Sequence, residues 1–189
     1  MSPLLLDVYA SPGPPARAAT FDAMVVRTVV AVLALSALAA CAGGSKDGGV
    51  GTTLEGSFGR FDGSTGTFTQ YRGKPVVVNF FSSTCLPCQS EMPALEQVHR
   101  ALGDQVTFLG LDVQDTVEGG QAFVQSVGVT WELGRDPKGE ILQAAVHGSV
   151  AGLPTTFVLD RDGHIAYSHL GPLDVSGLTN TLRQLHLVN

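Results

Sequence analysis

Apolar and polar positions change rhythm several times along this chain, and each change predicts an element. Between residues 56 and 71 apolar side chains are sparse, and Asp62-Gly63 and Thr65-Gly66 are turn signals, so a hairpin is expected. Val76 to Phe81 is a short, almost wholly apolar run with β-branched residues, which suits a buried parallel strand. Met92, Leu95, Val98 and Leu102 then recur at helical spacing, predicting a helix from about Pro87 to Leu102 that Gly103 stops. Val106 to Val113 reads as a second buried strand and Glu118 to Val127 as a helix with Phe123, Val124 and Val127 inward. Ile141 to Val146 is a shorter helix. Thr155 to Asp160 and Ile165 to Leu170 flank Arg161-Asp162-Gly163, a hairpin signature. Residues 174–186 form a last helix with Val175, Leu178, Leu182 and Leu185 on one face. The order β-α-β-α-β-β-α behind an N-terminal hairpin predicts an α/β sandwich with a mixed sheet, its first strands parallel and its last pair antiparallel. Trp131, just before a turn, is expected against the sheet edge, and Asp112 and Asp115 are expected as loop carboxylates.

Upstream of residue 54 the pattern is that of an address. From Met24 the chain reads Met-Val-Val-Arg, then an apolar run from Val29 to Ala40, then Cys41. A basic residue, a short apolar core and small residues before a cut describe a secretory signal, and the run is too short to span a bilayer. Leu38-Ala39-Ala40-Cys41 resembles the bacterial lipobox, in which the cysteine is lipidated and becomes the mature N-terminus. The competing reading is an ordinary signal peptide cut near Ala40 or Ala42. Residues 1–23 are expected to be a spurious or disordered extension, with Met24 the start and 24–40 the signal peptide. Residues 41–53, rich in Gly and Ser after Cys41, are expected to form a flexible tether. The folded domain is then 54–189.

Composition narrows the partners. The 189 residues are 44% hydrophobic and 15% charged, enough for a sizeable core. The net charge of −6 comes with no Lys/Arg run, which excludes phosphate-neutralising contact with nucleic acid and attachment by a polybasic patch. Any membrane anchor is therefore hydrophobic or covalent. Cysteine occurs only at Cys41, Cys85 and Cys88, too few for a disulfide framework.

Cys85-Leu86-Pro87-Cys88 falls where the predicted strand gives way to the predicted helix. Unpaired N–H groups and the positive end of the helix dipole stabilise a thiolate at that position. The thiolate is the species that attacks a disulfide, so Cys85 is expected to be the nucleophile. Pro87 fits the first turn, where a missing N–H costs nothing. Cys88, three residues on and facing the same side, is placed to resolve a mixed disulfide. This chemistry calls for no bound cofactor.

The string Val76 to Cys88, Glu91-Met92-Pro93, Gly152-Leu153-Pro154-Thr155-Thr156-Phe157 and the Asp162-Gly163 turn together resemble the thioredoxin superfamily, in its TlpA/ResA-like extracytoplasmic branch. The resemblance covers about residues 55–189. It implies a thioredoxin-like three-layer sandwich and a thiol-disulfide oxidoreductase. It also implies a cis Leu153-Pro154 bond opposite Cys85, with Leu153, Pro154 and Thr155 receiving an extended substrate strand; the residues alone show only an X-Pro, and most such bonds are trans. Clients would be exported cysteine proteins, apocytochrome c among them, with reducing equivalents from a membrane thiol donor. Glu91 is the position whose carboxylate influences the cysteine pair in such proteins. It is either a half-buried relay for the Cys88 proton or a solvated first-turn glutamate. Three departures bear on substrate docking and redox poise: Thr84 and Phe81 stand where tryptophans are common, and Asn79 where thioredoxin has a buried aspartate. Oxidant and reductant share the motif, so direction is not read from it.

His99, His147, His164, His169 and His186 are scattered, none near the cysteine pair, and read as surface or packing residues. The alternative function is a metal-binding or copper-delivering module using the same two sulfurs. The Pro-x-x-x-Thr-x-x-Cys pattern that a peroxidase reading of Cys85 requires is missing.

Overall fold

The computed structural model describes residues 49–147 and 151–189. Cys41, the signal segment and most of the tether lie outside the described residues. The elements are β1 (Ser57–Arg60), β2 (Thr65–Thr67), β3 (Val76–Phe81), α1 (Leu86–Leu102), β4 (Thr107–Val113), α2 (Val117–Val127), β5 (Glu132–Asp136), α3 (Glu140–Ala145), β6 (Thr155–Leu159), β7 (Ile165–Leu170) and α4 (Val175–Gln184). They build one seven-stranded sheet in the order β2-β1-β5-β4-β3-β6-β7. β3, β4 and β5 run parallel, while β6, β7 and the N-terminal hairpin are antiparallel to their neighbours. This is the mixed-sheet sandwich expected from the sequence.

The pleat of the central strands sorts their side chains between two apolar layers, because successive residues face opposite ways. Val77 and Phe81 join Cys88, Met92, Leu95 and Val98 of α1, Phe123 and Val124 of α2, and Leu178 and Leu182 of α4. Val76, Val78 and Phe80 face the other way, among Phe58, Phe68, Leu142 of α3 and Ile165. Burial on both faces explains why β3 reads as an unbroken apolar run. Asn79 shares the pleat face of Val77 and Phe81, which puts its amide under α1. No helix among the described residues is long and apolar enough to cross a membrane.

Three expectations change. β5 was not expected as a strand; it pairs with β4 and β1, so Trp131 is not at an edge. The residue is 6% exposed, and its ring packs against Phe108 and His99. Asp112 belongs to β4 and is 1% exposed, not a loop carboxylate. Finally, the end of the expected tether lies along β7: Gly51 N–H donates to Ile165 C=O at 2.8 Å, and Ile165 N–H to Thr52 C=O at 2.7 Å.

Candidate active site

β3 ends at Phe81, and the chain turns through Ser82, Ser83 and Thr84 before α1 begins. Cys85 is the N-cap of α1, and its sulfur accepts the Cys88 N–H at 3.2 Å. Pro87 occupies the first turn, where its fixed φ suits the helix. Cys85 and Cys88 are joined by a disulfide with a Cα–Cα separation of 5.2 Å. Cys88 is fully buried, whereas Cys85 is partly exposed beside a Leu86 side chain that is 74% exposed. Of the two cysteines, only Cys85 is therefore reachable from solvent.

One helical turn past Cys88, Glu91 is 2% exposed, so the solvated-glutamate alternative is corrected. Its two oxygens accept the Asn79 amide N–H and the Leu173 backbone N–H, each at 2.9 Å. Asn79 also donates to Thr156 Oγ1 at 3.0 Å. Burial pushes the Glu91 carboxyl up; the hydrogen bonds from Leu173 and Asn79, and the nearby Thr156 hydroxyl, pull the other way and do not cancel it. The arrangement gives a proton-holding group beneath the start of α1.

Leu153-Pro154 is a cis bond. Thr155 pairs with Phe80 across the antiparallel β3–β6 ladder, so Pro154 falls at the end of β3 that leads into the cysteine turn. Leu153 and Cys85 pack against the same apolar layer. Pro154 C=O accepts the Gly171 N–H at 2.9 Å and Gly152 C=O accepts the Thr155 hydroxyl at 2.7 Å, which hold this loop to the start of β6 and the end of β7. The structure thus gathers Cys85, Cys88, Glu91, Leu153, Pro154 and Thr155 at one end of the sheet. Of the other titratable side chains, Asp160, Asp162 and His164 converge in the β6–β7 turn, where Asp160 accepts the N–H groups of the other two.

The sequence singles out nothing at Ser82, and it offers Asp112 and Asp115 as loop carboxylates rather than a catalytic pair. Parallel pairing places Phe81 beside Asp112, so the segments after β3 and β4 must meet. That signal needs the strand order, which single-sequence spacing lacks.

The family model described as AhpC/TSA matches residues 53–168. The chain belongs to the AhpC/TSA family. It is 30% identical over 156 residues to thiol-disulfide oxidoreductase ResA of Geobacillus thermodenitrificans, covering 75% of this chain and 84% of that one. It is 33% identical over 114 residues to thiol:disulfide interchange protein HelX of Rhodobacter capsulatus, covering 60% of this chain and 61% of that one. A DsbF homologue from Corynebacterium diphtheriae superposes with a TM-score of 0.64 at 30% identity, covering 70% and 85% of the two chains. This AhpC/TSA member is a thiol-disulfide oxidoreductase of thioredoxin-like fold.

Proposed function

We propose that the protein works outside the cytoplasm as a reductant of disulfides in exported proteins, with Cys85 as nucleophile and Cys88 as resolver. The observation that carries this reading is the asymmetry of the pair: Cys85 sits partly exposed at the N-cap of α1, and Cys88 lies buried one turn behind it. In the reduced protein the Cys85 thiolate attacks one sulfur of a client disulfide. That S–S bond breaks, a mixed disulfide forms, and the departing client sulfur takes up a proton. Cys88, deprotonated, then attacks Cys85 Sγ. The second client sulfur leaves as a thiol, and the Cys85–Cys88 bond remains. Two electrons have passed to the client, and a membrane thiol donor returns them by the reverse exchange.

Glu91 is suited to exchange a proton with Cys88: burial makes its carboxylate a stronger base, so whenever the group is ionised it takes the Cys88 proton readily. Leu153, Pro154 and Thr155 form the loop on which an extended client segment docks. Kinship with ResA and HelX supports exported clients, with apocytochrome c as the candidate class, and supports an extracytoplasmic location. The lipobox-like string supports anchoring through lipid on Cys41.

A Cys88→Ser variant of the full chain tests this directly. It should accumulate mixed disulfides with exported cysteine proteins that a dithiol releases, while the wild-type pair is found reduced in cells. An oxidised pair with clients accumulating as free thiols would reverse the direction. One Cu(I) held tightly per chain without exchange activity would replace the reading by metal delivery.

A further inference from the structure

The turn that delivers Cys85 to α1 hangs on a side chain from the neighbouring strand end. Asp115 follows β4, and one of its carboxylate oxygens accepts the Ser83 backbone N–H at 2.5 Å. The other accepts the Ser82 hydroxyl at 3.1 Å. With its proton so directed, Ser82 Oγ is left as an acceptor for the Thr84 N–H at 3.3 Å and lies 3.1 Å from Thr84 Oγ1. The Cys85 N–H in turn donates to Ser82 C=O at 3.2 Å. Every residue between β3 and the first cysteine is therefore oriented, directly or at one remove, by Asp115.

Behind Asp115 the packing is built around carboxyls. Asp112 is buried, and neither of its oxygens has a geometric hydrogen-bond partner. Arg135 of β5 faces it, with Nε 3.9 Å from Asp112, and also donates from Nη2 to the Asp115 backbone C=O at 2.8 Å. On α2 the facing residue is Gly120, where any Cβ would collide with the Asp112 carboxyl. Burial works against ionisation of Asp115, but the hydrogen bonds from Ser83 and Ser82, with the neighbouring Asp112 carboxyl, outweigh it, so this carboxyl is held below its usual range. It is an anion, and charge-assisted hydrogen bonds of this kind are the strong ones.

We propose that Asp115 is a positioning residue for the exchange: it fixes the Ser82–Thr84 turn so that Cys85 enters α1 with its sulfur over the first-turn N–H groups, with Asp112 and Arg135 bracing it from behind. The inference rests on the reading of Cys85 as nucleophile. It has a signature of its own. By charge alone, an anion near Cys85 disfavours the thiolate, and removing it would ease ionisation. By positioning, loosening the turn withdraws the sulfur from the helix N-terminus and makes ionisation harder.

The two effects separate in the full chain, reduced, by measuring alkylation of Cys85 against pH for Ser82→Ala and Asp115→Asn. Ser82→Ala breaks the relay and leaves the charge; Asp115→Asn removes both. Positioning predicts that both variants raise the apparent pKa of Cys85 by about one unit, which slows alkylation by up to about tenfold at pH values below the wild-type pKa. Faster alkylation in Asp115→Asn with no change in Ser82→Ala would mean a charge effect and overturn the proposal. Lower melting temperatures with unchanged Cys85 titration would reduce Asp115 to a structural strut, which also overturns it. Should Asp115→Asn fail to fold, Ser82→Ala alone decides, slowed alkylation supporting the proposal and unchanged alkylation ending it. A wild-type Cys85 that titrates like free cysteine would sink the nucleophile reading itself, and the inference with it.

Discussion

A carboxyl closed off beneath the helix that carries the cysteine pair acts mainly through which protonation state its surroundings allow. Glu91 accepts two hydrogen bonds, from Asn79 and Leu173, yet burial still holds its carboxyl above the usual range. Once ionised, it places a negative charge about one helical turn from Cys88 and opposes a thiolate there. Glu91→Gln removes that charge while keeping the shape. In a Cys85→Ser background, the Cys88 thiol should therefore titrate lower in the glutamine variant, by up to about one unit. Thiol-specific alkylation against pH measures this, and an unchanged Cys88 titration would leave Glu91 as a brace for Leu173. Asn79 was legible in the sequence as a departure from an aspartate. Its bond to Glu91 was not, because residues 79 and 91 meet only once α1 lies back across β3.

Elements were legible where their apolar rhythm was strong. β3, whose Val76–Phe81 bounds match the expected run, is buried on both faces, and α1 and α4 show regular apolar stripes. β5 was missed because Glu132-Leu133-Gly134-Arg135-Asp136 carries three charges and a glycine, and neither alternates nor runs apolar. Its glycine has a packing cause. The Phe58 ring of β1 lies between Gly66 of β2 and Gly134 of β5, and a Cβ at Gly134 would collide with one ring carbon, Cδ2, and come within 2.8 Å of the next and 2.9 Å of Leu111. Phe58 is 3% exposed and packed on Phe68, so the ring has little room to retreat. Gly134→Ala should destabilise the oxidised protein by about 1–3 kcal/mol through overpacking. Urea unfolding reads this out; a loss within experimental error would show that the hairpin can shift on the sheet.

Across the molecule, four carboxyls among the described residues, Glu96 and Asp115 against Asp112 and Glu91, tilt stability in opposite directions with pH. Glu96 is 7% exposed; burial opposes its ionisation, but Arg100 at 2.6 Å and the Thr130 N–H at 2.9 Å outweigh it and hold its carboxyl low. Asp115 is held low in the same way. For such groups the unfolded chain binds protons first, so their stabilisation is present above about pH 4 and is lost as pH falls through their folded-state values. Asp112 is the reverse case: burial and the neighbouring Asp115 push it up to about 8, against which Arg135 at 3.9 Å is insufficient. Glu91 shifts upward too. For these two the native state keeps its proton while the unfolded chain has released it. Their favourable contribution is complete below about pH 4 and drains away as pH climbs, for Asp112 until about 8. The oxidised protein should therefore be most stable on the mildly acidic side, with a urea midpoint higher at pH 5 than at pH 8.5. Asp112→Asn cannot ionise, so its midpoint should fall less over that interval and draw level with or pass the wild type at the alkaline end. Parallel midpoint-against-pH curves for the two proteins would mean that Asp112 titrates alike in both states, and the buried-proton account would fail.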